Sequence, residues 1–328
     1  MRERQRVLVT GGAGLIGHRL CTRLLARGAQ VVCVDDLSTG SEANLTDLCD
    51  DDGFTLIRHD VVDPLPALGA VDLVFHLACP PSPEYYLGRP VHTIRCASEG
   101  TRNTLEVARR SGARYVLAST SEVYGDPAQH PQVESYWGNV NSVGPRSVYD
   151  EGKRYAEALT MAYAREYGTD TSIARIFNTY GPGMRVDDGR VVPAFIDAAL
   201  DGRPLTVFGD GTQTRSLCYV DDTVDGLMAL GDSSWRDPVN IGNPHEMTVL
   251  DLAEIIVDAT GGSMSVEHHP ARVDDPVRRC PDIGVARREL KWTPRVSAEE
   301  GLRRTVSWFV GNRRHPVAAA RAVADHAV

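Results

Sequence analysis

Apolar residues follow two alternating rhythms along the first 180 residues. Short unbroken runs at 6–10 (Arg-Val-Leu-Val-Thr) and 31–35 (Val-Val-Cys-Val-Asp) predict strands. A strand with one face in water would show a polar residue at every second position, so unbroken runs imply a parallel sheet covered on both faces. Between them, Leu15, Ile16, Leu20, Leu24 and Leu25 recur at helical spacing until Gly28 closes the helix. Further strands are expected at 54–59, 71–78, 114–120 and 171–177, separated by helices near 91–110 and 148–167. Strand-helix alternation of this kind predicts an α/β fold built on a doubly wound parallel Rossmann sheet.

After Gly181-Pro182-Gly183 the texture changes. Helices near 190–201, 221–231, 248–260 and 298–310 are divided by short strands and Pro/Gly turns, which suggests a smaller C-terminal α/β substrate lobe. The expected division is 1–180 plus roughly 216–245 for the Rossmann domain, and 181–215 with 246–310 for the lobe. Residues 311–328 are rich in Ala, Arg and His and read as a frayed tail.

Composition narrows the function classes. The charge balance is 35 − 44 = −9, with no basic block, which argues against nucleic acid as a partner. No apolar run reaches the ~18–20 residues of a membrane span, and the first residues lack a signal-peptide core, so a cytoplasmic protein is expected. Seven cysteines without a Cys-x-x-Cys pair indicate neither a disulfide framework nor a zinc site, and no metal is expected. His268-His269 reads as a solvated turn and Cys79 as a small packing residue.

The first βαβ unit carries the clearest chemistry. Gly11, Gly14 and Gly17 allow a tight turn, close approach of the backbone to a pyrophosphate, and close packing of helix on strand. Gly14, Leu15 and Ile16 then open the helix whose N–H groups face the phosphates. The next strand ends in Asp35, 18 residues after Gly17, where a carboxylate accepts both ribose hydroxyls. Asp35-Asp36-Leu37-Ser38 offers no arginine for a 2′-phosphate, so NAD is favoured over NADP.

The second candidate centre is Tyr149 and Lys153, four residues apart on one helix face. A phenol is a weak base at its reference pKa near ~10, and an ammonium beside it stabilises the phenolate. The tyrosinate can then take a proton from a carbinol as hydride leaves the same carbon. Lys153 is one of only two lysines among 35 basic residues, which makes the pairing hard to attribute to chance. Ser119-Thr120-Ser121-Glu122 ends the strand at 114–120, at the edge where open α/β sheets hold ligands.

These motifs carry a resemblance. TGGAGLIG at the start, HLAC-PPSP at 76–83, STSEVYGDP at 119–127, SYWGNVN at 135–141, SVYDEGKRYAE at 147–157, ARIFNTYGPGM at 174–184, DDGRVVPAFI at 187–196, GTQTRSLCYVDD at 211–222 and DDPVRRCPDI at 274–283 cover most of the chain. It resembles the extended short-chain dehydrogenase/reductases acting on nucleotide sugars, and among them the UDP-glucuronate decarboxylases. The resemblance implies oxidation at C4, decarboxylation of the resulting β-keto acid and re-reduction, giving UDP-xylose and some UDP-4-keto-pentose. It implies catalytic roles for Thr120, Ser121, Glu122, Tyr149, Lys153 and Arg279. Asp60, Val61, Leu77 and Arg95 would join the cofactor site. Tyr86, Asn103, Asn178, Arg190 and Arg215 would hold the UDP-sugar, and a homodimer is expected through the helices near 91–110 and 148–167.

Two other readings stay open. A nucleotide-sugar 4,6-dehydratase or 4-epimerase shares the frame, but resembling dehydratases carry Thr-Asp-Glu at the triplet where this chain has Thr120-Ser121-Glu122. A non-catalytic NAD-sensing protein would have no use for the Tyr149/Lys153 pair. The chain also departs from the resembling pattern: His92 and Arg95 stand in place of lysines, and Ala97 in place of an asparagine that supports a proton relay. That loss is expected to change cofactor grip and release of the keto product.

Overall fold

The computed structural model describes residues 4–270 and 278–314. Its central sheet uses β1 (Arg6–Thr10), β2 (Gln30–Asp35), β3 (Phe54–Arg58), β4 (Leu73–His76), β5 (Arg114–Thr120) and β6 (Thr171–Ile176). Four short strands follow: β7 (Thr179–Tyr180), β8 (Leu205–Phe208), β9 (Thr214–Ser216) and β10 (Cys218–Tyr219). The chain then returns to the sheet as β11 (Pro238–Ile241). The order is β11-β6-β5-β4-β1-β2-β3 with every neighbour parallel. Strand order reverses between β1 and β4, and the crevice outside their carboxyl ends is where such sheets bind ligands.

The unbroken apolar runs have the cause inferred for them. Val7 and Val9 point into one buried cluster with Leu20 and Leu24 of α1 (Leu15–Ala26) and with Val224 and Leu227 of α7 (Val220–Asp232). Leu8, between them, points into the other cluster with Leu105 of α4 (Thr101–Ser111) and Ala156 of α5 (Ser147–Tyr167). Alternate residues therefore serve opposite helical layers.

The first cluster continues without a break beyond the sheet. It takes in Phe195 of α6 (Val191–Leu200), Leu252 of α8 (Val249–Thr260), Ala286 of α9 (Gly284–Glu289) and Phe309 of α10 (Ala298–Arg314). Two small ladders lie in this region: β12 (Glu246–Thr248) runs antiparallel to β9, and β13 (Val266–His269) parallel to β8. Helix α8 starts from a reciprocal cap, Thr248 accepting from the Asp251 N–H and Asp251 from the Thr248 N–H.

The helix expected near 91–110 is present as one continuous run of α3 (Pro90–Arg95), a π-helical turn at Cys96–Gly100 and α4, with a separate short helix α2 (Pro83–Gly88) before it. Pro83 and Pro90 each open a helix because neither position needs an N–H donor. The tail was expected to fray from 311, but α10 continues to Arg314. Residues 315–328, and the 274–277 part of the DDPVRRCPDI run, lie outside the described residues.

Candidate active site

Two glycines shape one end of the cavity above the sheet. A Cβ on Gly17 would lie 2.1 Å from the carbonyl oxygen of Gly11, and one on Gly11 would lie 2.8 Å from the Ala78 nitrogen. Gly11 also holds φ at +74°, a conformation that suits glycine. Helix α1 then starts at Gly14 without a side-chain cap, leaving its first N–H groups to a ligand. Asp35 is buried at the tip of β2, accepting from the Ala13 N–H at 2.9 Å and the Leu37 N–H at 2.8 Å. Burial raises its pKa, and the two amides pull the other way.

At the far end of β3, Asp60 accepts from the Val62 N–H at 3.0 Å and pairs with His92 Nε2 at 2.8 Å. Burial pushes the Asp60 carboxyl up, but His92 and the Val62 amide outweigh it, so the pKa falls. Cys96 Sγ lies 3.6 Å from His92 Nδ1, so Asp60, His92 and Cys96 form a group of metal-ligand type. A second such group, His130, Glu246 and Cys280, gathers near the 278–281 segment. His92 and Cys96 are four residues apart but Asp60 lies 32 residues before His92, and the second group comes from three separate segments, which is why spacing alone did not reveal either.

The chemical centre forms where β5 meets α5. Thr120 stands beside the Tyr149 phenol, and Lys153 Nζ donates to the Ala118 carbonyl at 2.9 Å. The ammonium sits 5.9 Å from the Tyr149 ring centroid. Burial raises the Tyr149 pKa, nearby Cys79 and Glu122 add to this, and the Thr120 hydroxyl opposes it. Tyr86 stacks on Tyr149, with centroids 5.2 Å apart and planes within 8°. Behind the lysine, His76 Nδ1 meets Thr10 Oγ1 at 2.8 Å and its Nε2 meets Thr101 Oγ1 at 3.3 Å. Burial and the Lys153 charge lower the His76 pKa to about 3, so this histidine is neutral.

Beside Tyr149, Glu122 is held between two guanidinium groups. Arg146 Nη2 donates to its Oε2 at 2.6 Å, and Arg279 Nη1 donates to its Oε1. Burial alone would raise the Glu122 pKa, but the charges of Arg279 and Arg146 bring it well below the usual carboxylate range. Arg279 is 5% exposed and lines the cavity, and its Nε and Nη2 are buried without a hydrogen-bond partner. Such donors favour an incoming anion, since leaving them unsatisfied in the interior costs about 1–3 kcal/mol or more.

One cavity of about 630 Å³ joins these parts. Its wall includes Gly11, Gly14, Leu15, Ile16, Gly17, Asp35, Asp60, Val61, Leu77, Tyr86, Thr120, Ser121, Glu122, Tyr149, Lys153, Asn178, Arg190, Arg215 and Arg279. Two expected residues lie off it. Asn103 is buried, with its amide donating to the carbonyls of Val61, Val62 and Asp63, so it shapes the loop after β3 rather than facing a sugar. Arg95 points outward and pairs with Glu99 at 2.8 Å across one helical turn. Arg190 lines the cavity with its guanidinium on Asp188. Arg146 was missed, because nothing marks one arginine among many.

A family model described as the NAD dependent epimerase/dehydratase family matches residues 7–242. The chain belongs to that family. It is 52% identical to UDP-glucuronic acid decarboxylase 1 of Arabidopsis thaliana over 308 residues, covering 94% of this chain and 70% of the relative. Among solved structures, UDP-glucose 4-epimerase of Thermotoga maritima with UDP-glucose aligns with a TM-score of 0.87 at 29% identity, covering 94% of this chain and 100% of that one. UDP-glucuronic acid 4-epimerase of Bacillus cereus, in complex with UDP-glucuronic acid and NAD, aligns at 0.85 and 28%, covering 94% and 99%. The cofactor of this epimerase/dehydratase chain is NAD. The close backbone at Gly11 and Gly17, the uncapped start of α1 and the Asp35 carboxylate fit it. No helix among the described residues is long and apolar enough to cross a membrane.

Asp35→Ala is expected to weaken NAD binding about tenfold or more, by losing a hydrogen bond to a charged acceptor. Titrating NAD against intrinsic fluorescence, with a thermal melt as fold control, checks it.

Proposed function

We propose that this protein is an NAD-dependent UDP-glucuronate decarboxylase that forms UDP-xylose. The observation that carries the reading is Arg279, which lines the cavity beside Tyr149 with Nη1 on Glu122 and with Nε and Nη2 buried without a hydrogen-bond partner. A guanidinium so placed suits a substrate carboxylate next to the reacting carbon. The 52% identity to a decarboxylase over nearly the whole chain supports the same substrate.

NAD, held by the backbone at Gly11–Gly17 and by Asp35, would supply the hydride acceptor for oxidation at C4 of the sugar and the donor for its re-reduction. Tyr149 takes the C4 hydroxyl proton, with Lys153 close enough to stabilise the phenolate. The product is a β-keto acid, and Arg279 holds its carboxylate. When the C5–C6 bond breaks, the electron pair passes into the enolate of C4 and C5, and CO₂ leaves. Tyr149 and Thr120 donate to the enolate oxygen. C5 then takes a proton, and Tyr149 returns its own to the C4 oxygen during re-reduction. Ser121 orients the sugar here, where an acid would favour loss of water instead. Arg190, Arg215 and Asn178 hold the UDP group, and Tyr86 covers the sugar.

In the same reading the enzyme is a cytoplasmic homodimer. Val91 and Tyr155, 70% and 51% exposed on α3 and α5, support a partner on that face.

Run in D₂O, the reaction is expected to place deuterium at C5 of UDP-xylose and none at C4, because only C5 is protonated from exchangeable groups. Deuterium at C4 in NMR spectra would contradict internal return of the hydride. The Ala97 departure has its own consequence. Ala97 is buried in the π-helical turn, tight against Gly152 of α5, and offers no side-chain donor or acceptor behind Lys153. The enzyme is expected to release UDP-4-keto-pentose and NADH alongside UDP-xylose. Product analysis with and without added NAD⁺ checks this, and UDP-xylose as sole product would count against it.

A further inference from the structure

Decarboxylation of a carboxylate consumes one proton, and neither acid of the described mechanism has one to spare. Tyr149 takes its proton from the C4 hydroxyl and returns it there. Glu122 is fixed as a carboxylate by two arginines. A third acid lies behind them. Asp150 follows Tyr149 on α5, is 7% exposed, and does not line the cavity. Its Oδ1 is buried without a hydrogen-bond partner, while its Oδ2 is 3.9 Å from Arg146 Nε.

We propose that Asp150 is a proton reservoir linked to the substrate carboxylate, taking up a proton when that carboxylate binds and giving it up when CO₂ leaves. The inference rests on the decarboxylase reading and adds a positioning residue to it.

The charge count is the core of the argument. Arg146 and Arg279 contribute two positive charges and Glu122 one negative. With Asp150 neutral, the cluster carries +1 and matches one incoming carboxylate. With Asp150 ionised it carries zero, and a bound carboxylate would leave excess negative charge in a desolvated site. The groups facing Asp150 come from several elements. Glu122 stands at the end of β5, Arg279 on the 278–281 segment, and Arg146, Tyr149 and Glu151 on or beside its own helix. The Tyr86 phenol comes from α2. Burial raises the Asp150 pKa first and Glu122 adds to it, against the pull of Arg146 and Arg279, so that it stands at about 7. Arrival of the C6 carboxylate places another negative charge near it and raises the pKa further. Departure of CO₂ removes that charge and lowers it. Because Asp150 does not reach the cavity, C5 is protonated by a water molecule there; the hydroxide left in the cavity and the proton that Asp150 releases as the carboxylate charge departs cancel through solvent, so the turnover draws no further proton. One C–C bond breaks, one C–H bond forms, and the proton taken up on binding is the one consumed.

The test titrates UDP-glucuronate into NAD-loaded Tyr149→Phe protein, where turnover is slowed by about 10² or more, in buffers of different ionisation enthalpy at pH 7.5. The slope of heat against that enthalpy counts protons. Binding is expected to take up about half a proton or more, and neutral UDP-glucose to take up far less. Adding Asp150→Asn should abolish the uptake while leaving NAD binding intact. In the Tyr149 background, KM for UDP-glucuronate should rise as pH passes neutrality, and in Asp150→Asn that rise should vanish with kcat lowered severalfold. A merely structural Asp150 would not flatten the pH profile. Uptake unchanged in the Asp150→Asn protein, or none in its parent, overturns the reservoir even where CO₂ is released. If the unmutated protein releases no CO₂ from UDP-glucuronate, the decarboxylase reading itself fails and the reservoir falls with it.

Discussion

Tyr149→Phe is expected to slow CO₂ release by about 10²–10⁴ while UDP-glucuronate and NAD still bind, the range associated with one general acid–base group. Removing one oxygen leaves the ring in place, so the stack on Tyr86 survives and the fold should be unaffected. The phenol has two tasks, taking the C4 proton and donating to the enolate oxygen, and phenylalanine can do neither. In the substrate-free protein burial holds the phenol up, so its base form is scarce until charge is arranged around it. Lys153 is positioned for that purpose, anchored on Ala118 within reach of the ring. Single-turnover measurements of NADH absorbance separate the tasks. The variant should form NADH slowly, whereas a loss confined to enolate stabilisation would let NADH form at the normal rate and accumulate.

Arg279→Met should cost about 10²–10³ in CO₂ release, the scale of losing one preorganised donor at a developing charge. It should also lower stability, because it removes one partner of a buried ion pair. Such losses run to about 3–5 kcal/mol, and Arg146 remaining on Glu122 places this one toward the low end. Adding Glu122→Gln should restore much of the melting temperature but none of the activity, which separates the structural cost from the chemical one. The clamp also has a pH signature. Glu122 is depressed in the folded protein, so its contribution is present above the ordinary glutamate value of about 4.3. It is lost as pH falls toward the folded value of about 2. The single Arg279→Met variant should therefore show a weaker acid dependence of melting than the unmutated protein.

Much of this molecule is written in local pattern. The unbroken strands 6–10 and 31–35 predicted a doubly covered sheet, and Leu8 facing the layer opposite to Val7 and Val9 is the physical content of that pattern. The glycine spacing and Asp35 pointed to the dinucleotide site because their geometry is fixed within one βαβ unit. What local pattern did not reveal was long-range. Arg146 and Arg279 meet on Glu122 across 24 and 157 residues, and no periodicity joins them. The resemblance placed Asn103 on the UDP-sugar, yet the loop carbonyls 61–63 claim its amide. The π-turn at 96–100 was unreadable because it shifts the register of the helix by a residue without ending it. Asp150 stood one residue from the tyrosine but reads as a solvated helix acid until its burial is known.

The most direct test of the central claim is incubation of the purified protein with NAD⁺ and UDP-glucuronate carrying ¹³C at C6. The account predicts labelled CO₂ in step with loss of substrate, with a nucleotide pentose as product. Consumption of substrate with the label retained in a nucleotide hexuronate would contradict it and return the Glu122–Arg279 site to epimerisation.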